Sequence, residues 1–269
     1  MIYLTELQWI QNLQDVIRGP FLDRFFILWN RVDSLPFYLL IISIVWYLIN
    51  RTIGIRLFYI MIISAIVNEL LKSLFHLPRP CQMDPSVGIL CIKTYGFPSG
   101  AAQASILLSG VLIIECKQRI LQILGIFFAL FLCFSRIYLG VHFFTDILGG
   151  LFVGGLLLLL YAKVFPIATP YHRLLSFVLP LVPLIKGNFF LFGILIGVAI
   201  GLMFSEFKNI QMPKQWVYRI VGAVCAIVGS FLIIEERVFL PHLKTLFAIA
   251  AGLWFSTVEI WCRRPSFRA

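Results

Sequence analysis

Nine apolar stretches, each near the length of a bilayer-crossing helix, dominate this chain: 36–50, 55–75, 98–115, 120–138, 143–164, 174–186, 187–205, 217–234 and 243–261. A helix needs ~20 apolar residues to cross the hydrocarbon core. Inside that core every backbone N–H and C=O must find its partner within the chain. The stretches therefore predict an all-α, polytopic helical membrane protein with eight or nine transmembrane helices. The sixth is short and holds Pro180 and Pro183, so it reads as a broken or re-entrant helix. Composition agrees, at 61% hydrophobic and 13% charged over 269 residues, against roughly half and a quarter in a soluble domain. Residues 1–35 read as an amphipathic N-terminal segment on the membrane surface, with Trp9, Ile10, Leu13, Val16 and Ile17 at helical spacing. The first 30 residues carry acidic groups and lack a small-residue cleavage site, which argues against a signal peptide.

The net charge is +10. In a soluble chain that would point to nucleic acid; among membrane helices it points to cytoplasmic loops and anionic membrane lipids, and no nucleic-acid partner is expected. With the N-terminus outside and nine spans, the cytoplasmic ends hold Arg51, Arg56, Lys117, Arg119, Lys163, Arg173, Lys208, Lys214, Arg219, Arg263, Arg264 and Arg268. This bias favours that orientation. The six cysteines form no C-x-x-C pair, which argues against zinc or redox chemistry. Cys81 and Cys91 share one polar loop, and either a disulfide or two free thiols is compatible with the spacing.

Three polar segments interrupt the apolar background. Lys72-x6-Arg79-Pro80 falls where the second span ends, with Pro78 and Pro80 stopping the helix. A lysine point charge and an arginine fork suit phosphate oxygens; two cations snorkelling at a membrane boundary would look the same. Phe97-Pro98-Ser99-Gly100 opens the third span. Free N–H groups at a helix start attract an anion, and a serine cap reads alike. Ser135-Arg136-x5-His142-x3-Asp146 joins the fourth span to the fifth. The i, i+4 spacing puts His142 and Asp146 on one helix face. A carboxylate on one imidazole nitrogen orients the ring and leaves the other free to attack; a satisfied polar pair is the plainer alternative. Asn68 and Glu69, one turn before Lys72, are candidates to position it. No carboxylate cluster suited to Mg²⁺ is evident. Gly149, Gly150, Gly154 and Gly155 suit close helix packing.

Together the three segments resemble the type 2 phosphatidic acid phosphatase (PAP2) superfamily of membrane lipid phosphatases, over about residues 55–165. The nine-span, outside-N-terminus reading is similar to its glucose-6-phosphatase-like branch. The resemblance implies a PAP2-like core at 36–165, with 166–269 as additional C-terminal transmembrane helices. It implies that His142 becomes phosphorylated and that Asp146 orients it. Lys72, Arg79, Arg136, Ser99 and the Gly100 amide would hold the phosphoryl oxygens. Neither metal nor other cofactor is implied, because the basic residues take that place. The partners expected are a lipid phosphate or diphosphate substrate and the surrounding membrane lipids; oligomeric state is left open.

The chain departs from the family at Ala101, where Pro-Ser-Gly-His reads Pro-Ser-Gly-Ala. That histidine protonates the leaving group. An alkoxide, with proton affinity like water at pKa ~16, needs the acid. A phosphate leaving group, with its second pKa near ~6, needs it far less. The substitution therefore favours a lipid (polyprenyl) diphosphate over a monoester. His76, Lys93 and Tyr95 are the nearby groups able to substitute as acid. The alternatives are a lipid phosphotransferase and a non-catalytic lipid-phosphate-binding protein.

Overall fold

A computed structural model describes residues 2–115, 118–164, 179–181, 183, 189–207, 216–236 and 244–261. Among these residues every regular element is helical: α1 (Ile2–Ile17), α2 (Pro20–Trp29), α3 (Leu35–Ser43, extended by a wide turn to Ile49), α4 (Arg51–Phe75), α5 (Pro80–Met83), α6 (Gly100–Glu115), α7 (Arg119–Tyr138), α8 (Phe144–Val164), α9 (Phe189–Phe207), α10 (Trp216–Glu236) and α11 (Lys244–Trp261). Most of the apolar stretches read from sequence are occupied by these helices. The sixth, 174–186, lies largely outside the described residues.

Length is where the expectation of eight or nine spans is cut back. Among the described residues three candidate spans are long and apolar enough to cross a membrane, Arg51–Met83, Arg119–Tyr138 and Phe144–Val164. A bent pair, Pro20–Val32 with Leu35–Ile49, makes a fourth if it counts as one span. Gly100–Glu115 is apolar but shorter, as are the described stretches Leu191–Phe204 of α9, Trp216–Val228 of α10 and Thr245–Val258 of α11.

The chain divides into two compact units, one of residues 1–38 and 57–166, the other of 39–56 and 167–269. In the first, α6 packs on both α7 and α8. A Cβ at Gly150 would meet Ala102 at 3.0 Å, and one at Gly154 would meet Gln103 O at 2.8 Å. These two glycines therefore let α8 lie directly on α6. Gly149 instead faces the Phe97 ring, and Gly155 faces open space. The N-terminal helices cover the turn between α7 and α8. Phe26 packs on Tyr138, Leu139 and Val141; Ile10 packs on Val87 and Phe143. Of the apolar α1 positions expected on the membrane surface, Ile10 is thus buried in protein, while Trp9 and Val16 stay exposed. In the second unit α9 packs on α11, with Gly193, Gly197 and Gly201 recurring every fourth residue along the contact.

Candidate active site

Everything that carries the site belongs to the first unit. Helix α4 stops after Phe75, and His76 takes the left-handed conformation (φ 51°) that ends many helices. Pro78 and Pro80 then force an extended chain, from which Arg79 enters the protein and is 2% exposed. Its guanidinium is held on three nitrogens. Nε donates to Thr94 O at 2.7 Å and Nη2 to Thr94 Oγ1 at 2.9 Å. Nη1 donates to Val141 O at 3.0 Å and lies 3.0 Å from His142 Nε2.

That last contact assigns the imidazole tautomer. A guanidinium can only donate, so His142 Nε2 accepts and Nδ1 carries the proton. Nδ1 therefore donates to Asp146 Oδ2, 3.1 Å away. The same oxygen accepts from the Phe143 N–H at 3.0 Å, which pins the carboxylate independently of the ring. Asp146 Oδ1 is buried and without a hydrogen-bond partner among the described residues. The turn carrying His142 is tight: Gly140 has φ +65°, and Val141 N and His142 N both donate to Arg136 O. Burial, and then the charges of Arg79, Lys72 and Arg136, push the His142 imidazole well below its usual range. The resting ring is neutral, with the attacking lone pair on Nε2.

The other residues singled out in the sequence converge on this pair to different degrees. Lys72 Nζ donates to Tyr95 O at 3.1 Å, and its charge reaches His142. Ser99 is fully buried; its N–H donates to Asp146 O at 2.9 Å, and its Oγ accepts weakly from Ala102 N at 3.4 Å. It caps α6 and ties it to α8 at once. Gly100 begins α6, so its amide is among the unpaired donors of that helix start. A Cβ there would meet Asn68 Oδ1 at 3.0 Å. Asn68 does not reach Lys72; it donates to Pro98 O and to Gln103 Oε1, each at 3.1 Å. Ala101 is 3% exposed in the first turn of α6. The His76 and Tyr95 rings meet edge to face at 4.6 Å, and Lys93 stands exposed on the adjoining loop. Arg136 is 1% exposed and turns toward the N-terminal segment, where Asn30 and Asp33 receive it.

Several supporting residues escaped the sequence reading. Thr94 sets two nitrogens of Arg79, and it follows closely a Cys81–Cys91 disulfide that closes the loop. Glu6 of α1 accepts from Thr145 N at 3.3 Å and Thr145 Oγ1 at 3.2 Å. It caps α8, whose first turn holds Asp146. Gln14 donates to Val87 O at 2.9 Å and Tyr138 O at 2.8 Å, fastening α1 over the same turn. No local pattern announces these, although three polar residues inside an amphipathic face (Glu6, Gln14 and, more exposed, Gln11) were a signal that α1 docks on protein. Among the described residues no group of three or more His, Cys, Asp or Glu is arranged to hold a metal ion.

A buried histidine oriented by a carboxylate, with the Arg79 guanidinium on its free nitrogen, can attack an anionic electrophile, and comparison with known proteins points the same way. The PAP2 superfamily model matches residues 53–170, so this segment is similar to the PAP2 superfamily. A dihydrosphingosine 1-phosphate phosphatase of Saccharomyces cerevisiae is 29% identical over 174 residues, 57% of this chain and 42% of the relative. Sphingosine-1-phosphate phosphatase 2 of Mus musculus is 30% identical over 132 residues, 46% of this chain and 37% of the relative. Its Homo sapiens counterpart is 28% identical over 133 residues, covering 46% and 33%. The chain thus spans less than half the length of these curated relatives. No solved structure matches.

Proposed function

We propose that this PAP2-like region makes the chain a membrane phosphatase acting on a lipid phosphate or diphosphate through a phosphohistidine. The observation that carries the reading is His142, with Nδ1 held by Asp146 and Nε2 beneath the Arg79 guanidinium. An arriving phosphoryl group would draw the Arg79 Nη1 donor from Nε2 onto one of its own oxygens. Nε2 then attacks phosphorus, the N–P bond forms as the P–O bond to the leaving group breaks, and Asp146 stabilises the positive charge gathering on the ring. Arg79, Lys72 and Arg136 offset the charge on the equatorial oxygens. In the second half water replaces the nitrogen, releasing phosphate and returning His142 to its neutral form. Lys72, Arg79, Ser99, Gly100 and Arg136 are the proposed phosphate-binding set.

Ala101 directs the choice of leaving group. With no imidazole at that position, the proposed preference is for a polyprenyl diphosphate, whose leaving phosphate needs little protonation. The names of the relatives favour a second reading, a sphingoid-base 1-phosphate, in which Tyr95 or His76 supplies the proton. The site is proposed to face away from the cytoplasm, as the Lys and Arg distribution favours. The shorter apolar helices are read as further crossings beside the three or four long ones.

Phosphate release by purified protein in detergent tests both readings. The substrates are a polyprenyl diphosphate, its monophosphate and a sphingoid-base 1-phosphate, with His142→Ala as blank. Release from the diphosphate above both monoesters supports the role given to Ala101. Release from the sphingoid phosphate alone favours the second reading, and no release from any with folded protein refutes both. Ala101→His is expected to raise monoester hydrolysis more than diphosphate hydrolysis; an equal effect on both would remove the leaving-group argument.

A further inference from the structure

We propose that Asn30 and Asp33, in the turn between α2 and α3, are positioning residues for the Arg136 guanidinium, so that the N-terminal segment is part of the phosphate site; this rests on the phosphatase reading above. A guanidinium removed from water needs partners for its five N–H groups. Arg136 finds them on one side only. Nη1 donates to Asn30 Oδ1 at 2.5 Å and to Asp33 Oδ2 at 3.3 Å, and Nε donates to Ser135 Oγ at 3.3 Å. Nη2 is buried with no hydrogen-bond partner among the described residues. The fork is therefore clamped along one edge and left with two unused donors on the other. An unpaired buried donor is costly, and a phosphoryl oxygen is the acceptor that such a donor best suits.

The clamp is itself fixed. Asp33 Oδ1 accepts from the Tyr38 hydroxyl at 2.7 Å, so its carboxylate is not free to follow the guanidinium or to swing onto another cation. Asn30 begins a short helical turn, Asn30–Val32, directly after α2. The Asp33 charge also reaches Lys72 and Arg79. It thereby acts as counter-charge to three cations, and its grip on Nη1 fixes the direction of the Arg136 fork. A purely structural tie through Arg136 would lower the melting temperature together with activity, whereas positioning lowers activity and orthovanadate affinity in protein that still melts close to the wild type.

That difference is the test. Asn30→Ala with Asp33→Ala is introduced into the wild-type chain and into an Arg136→Ala chain. Phosphate release, orthovanadate affinity and melting temperature are measured for all four. Misplacing a substrate-binding group by an ångström costs ~10²-fold in rate, so the double change is expected to lower kcat/KM about 10²-fold in the wild-type chain. In the Arg136→Ala chain it is expected to lower it less than threefold. Asp33→Asn, which keeps shape and an acceptor, carries the same comparison, with a roughly tenfold loss, if the double variant melts below assay temperature. Equal losses in the two backgrounds, or full activity in the double variant, would overturn the proposal. Wild-type protein that binds orthovanadate without releasing phosphate would sink only the hydrolase reading, and the same four chains would then be compared by vanadate affinity. Wild-type protein that does neither would overturn both.

Discussion

Replacing Asp146 by asparagine tests the geometry of the nucleophile sharply. In a serine-protease triad the equivalent exchange costs about 10⁴ in kcat, because the amide holds the imidazole in the wrong tautomer. Here a different result is expected. Asp146 Oδ2 accepts from two donors, His142 Nδ1 and the Phe143 N–H. The Phe143 amide cannot reverse its role, so it selects the asparagine rotamer whose oxygen occupies that corner, and that rotamer preserves Nδ1–H and the Nε2 lone pair. The asparagine NH₂ then falls where Oδ1 now has no partner, a tolerable position for a donor only at some cost in stability. What is lost is charge. A hydrogen bond to an ionised group is worth ~1.5–3 kcal/mol against ~0.5–1.5 for a neutral pair, and the difference matters as the ring becomes positive in the transition state. Losing that difference, ~1–1.5 kcal/mol, corresponds to a kcat about 5- to 13-fold lower. Asp146→Ala frees the ring and the Phe143 amide together, and is expected to cost more than 10³-fold. The assay is phosphate release at saturating substrate, with thermal denaturation to show that both variants fold. If Asp146→Asn fell as far as Asp146→Ala, the Phe143 anchor would have no role in selecting the tautomer and the reasoning would be wrong.

Three further outcomes follow from the site. Because the His142 imidazole is held well below its usual range and only its neutral form attacks, kcat/KM should stay flat as pH falls through ~6.5 and decline only at lower pH; an acid limb centred at or above ~6.5 would contradict the burial argument, and Arg79→Gln should move the limb upward. Arg79→Lys cannot reproduce donation to Thr94, Val141 and His142 at once, so kcat/KM is expected to fall ~10²-fold or more, and a loss under fivefold would show that a point charge suffices. Exchanging Cys81 and Cys91 together for serine should lower stability by about 2–3 kcal/mol and raise KM, because Thr94 and Tyr95 follow the closed loop; calorimetry and substrate titration check both, and an unchanged KM would separate the loop from the site.

The parts of the site legible in the sequence are those whose chemistry conflicts with their surroundings. Lys72, Arg79, Arg136, His142 and Asp146 stand at the ends of apolar stretches; the expected pairing of the last two on one helix face is replaced by a contact from the turn, because α8 starts only at Phe144 and Asp146 Oδ2 meets His142 from the helix's first turn. Their supports are invisible at that range. Glu6 caps a helix 139 residues away, and Asn30 meets Arg136 across 106. Each is an ordinary polar residue in an amphipathic segment, and only packing decides whether it turns to solvent or to protein. Asn68 shows the converse: its position one turn before Lys72 pointed to local pairing, but the start of α6 offered it two partners and took it. Helix placement was legible from hydropathy; of the spans expected, three or four are long and apolar enough among the described residues.

The hydrogen bond between Arg79 and His142 Nε2 also bears on chemoselectivity in a membrane. A phosphatase in a bilayer is surrounded by acyl esters at concentrations far above any phosphorylated lipid. A bare, desolvated imidazole is a competent acyl acceptor, and transfer of a fatty acyl group to it would silence the enzyme. A neutral ester carbonyl has little with which to draw a guanidinium away from nitrogen. A phosphate dianion does, and it uncovers the lone pair in the act of binding. On the proposed mechanism, discrimination between the scarce substrate and its abundant solvent would be made in the ground state, by the cation that would later stabilise the transferred group.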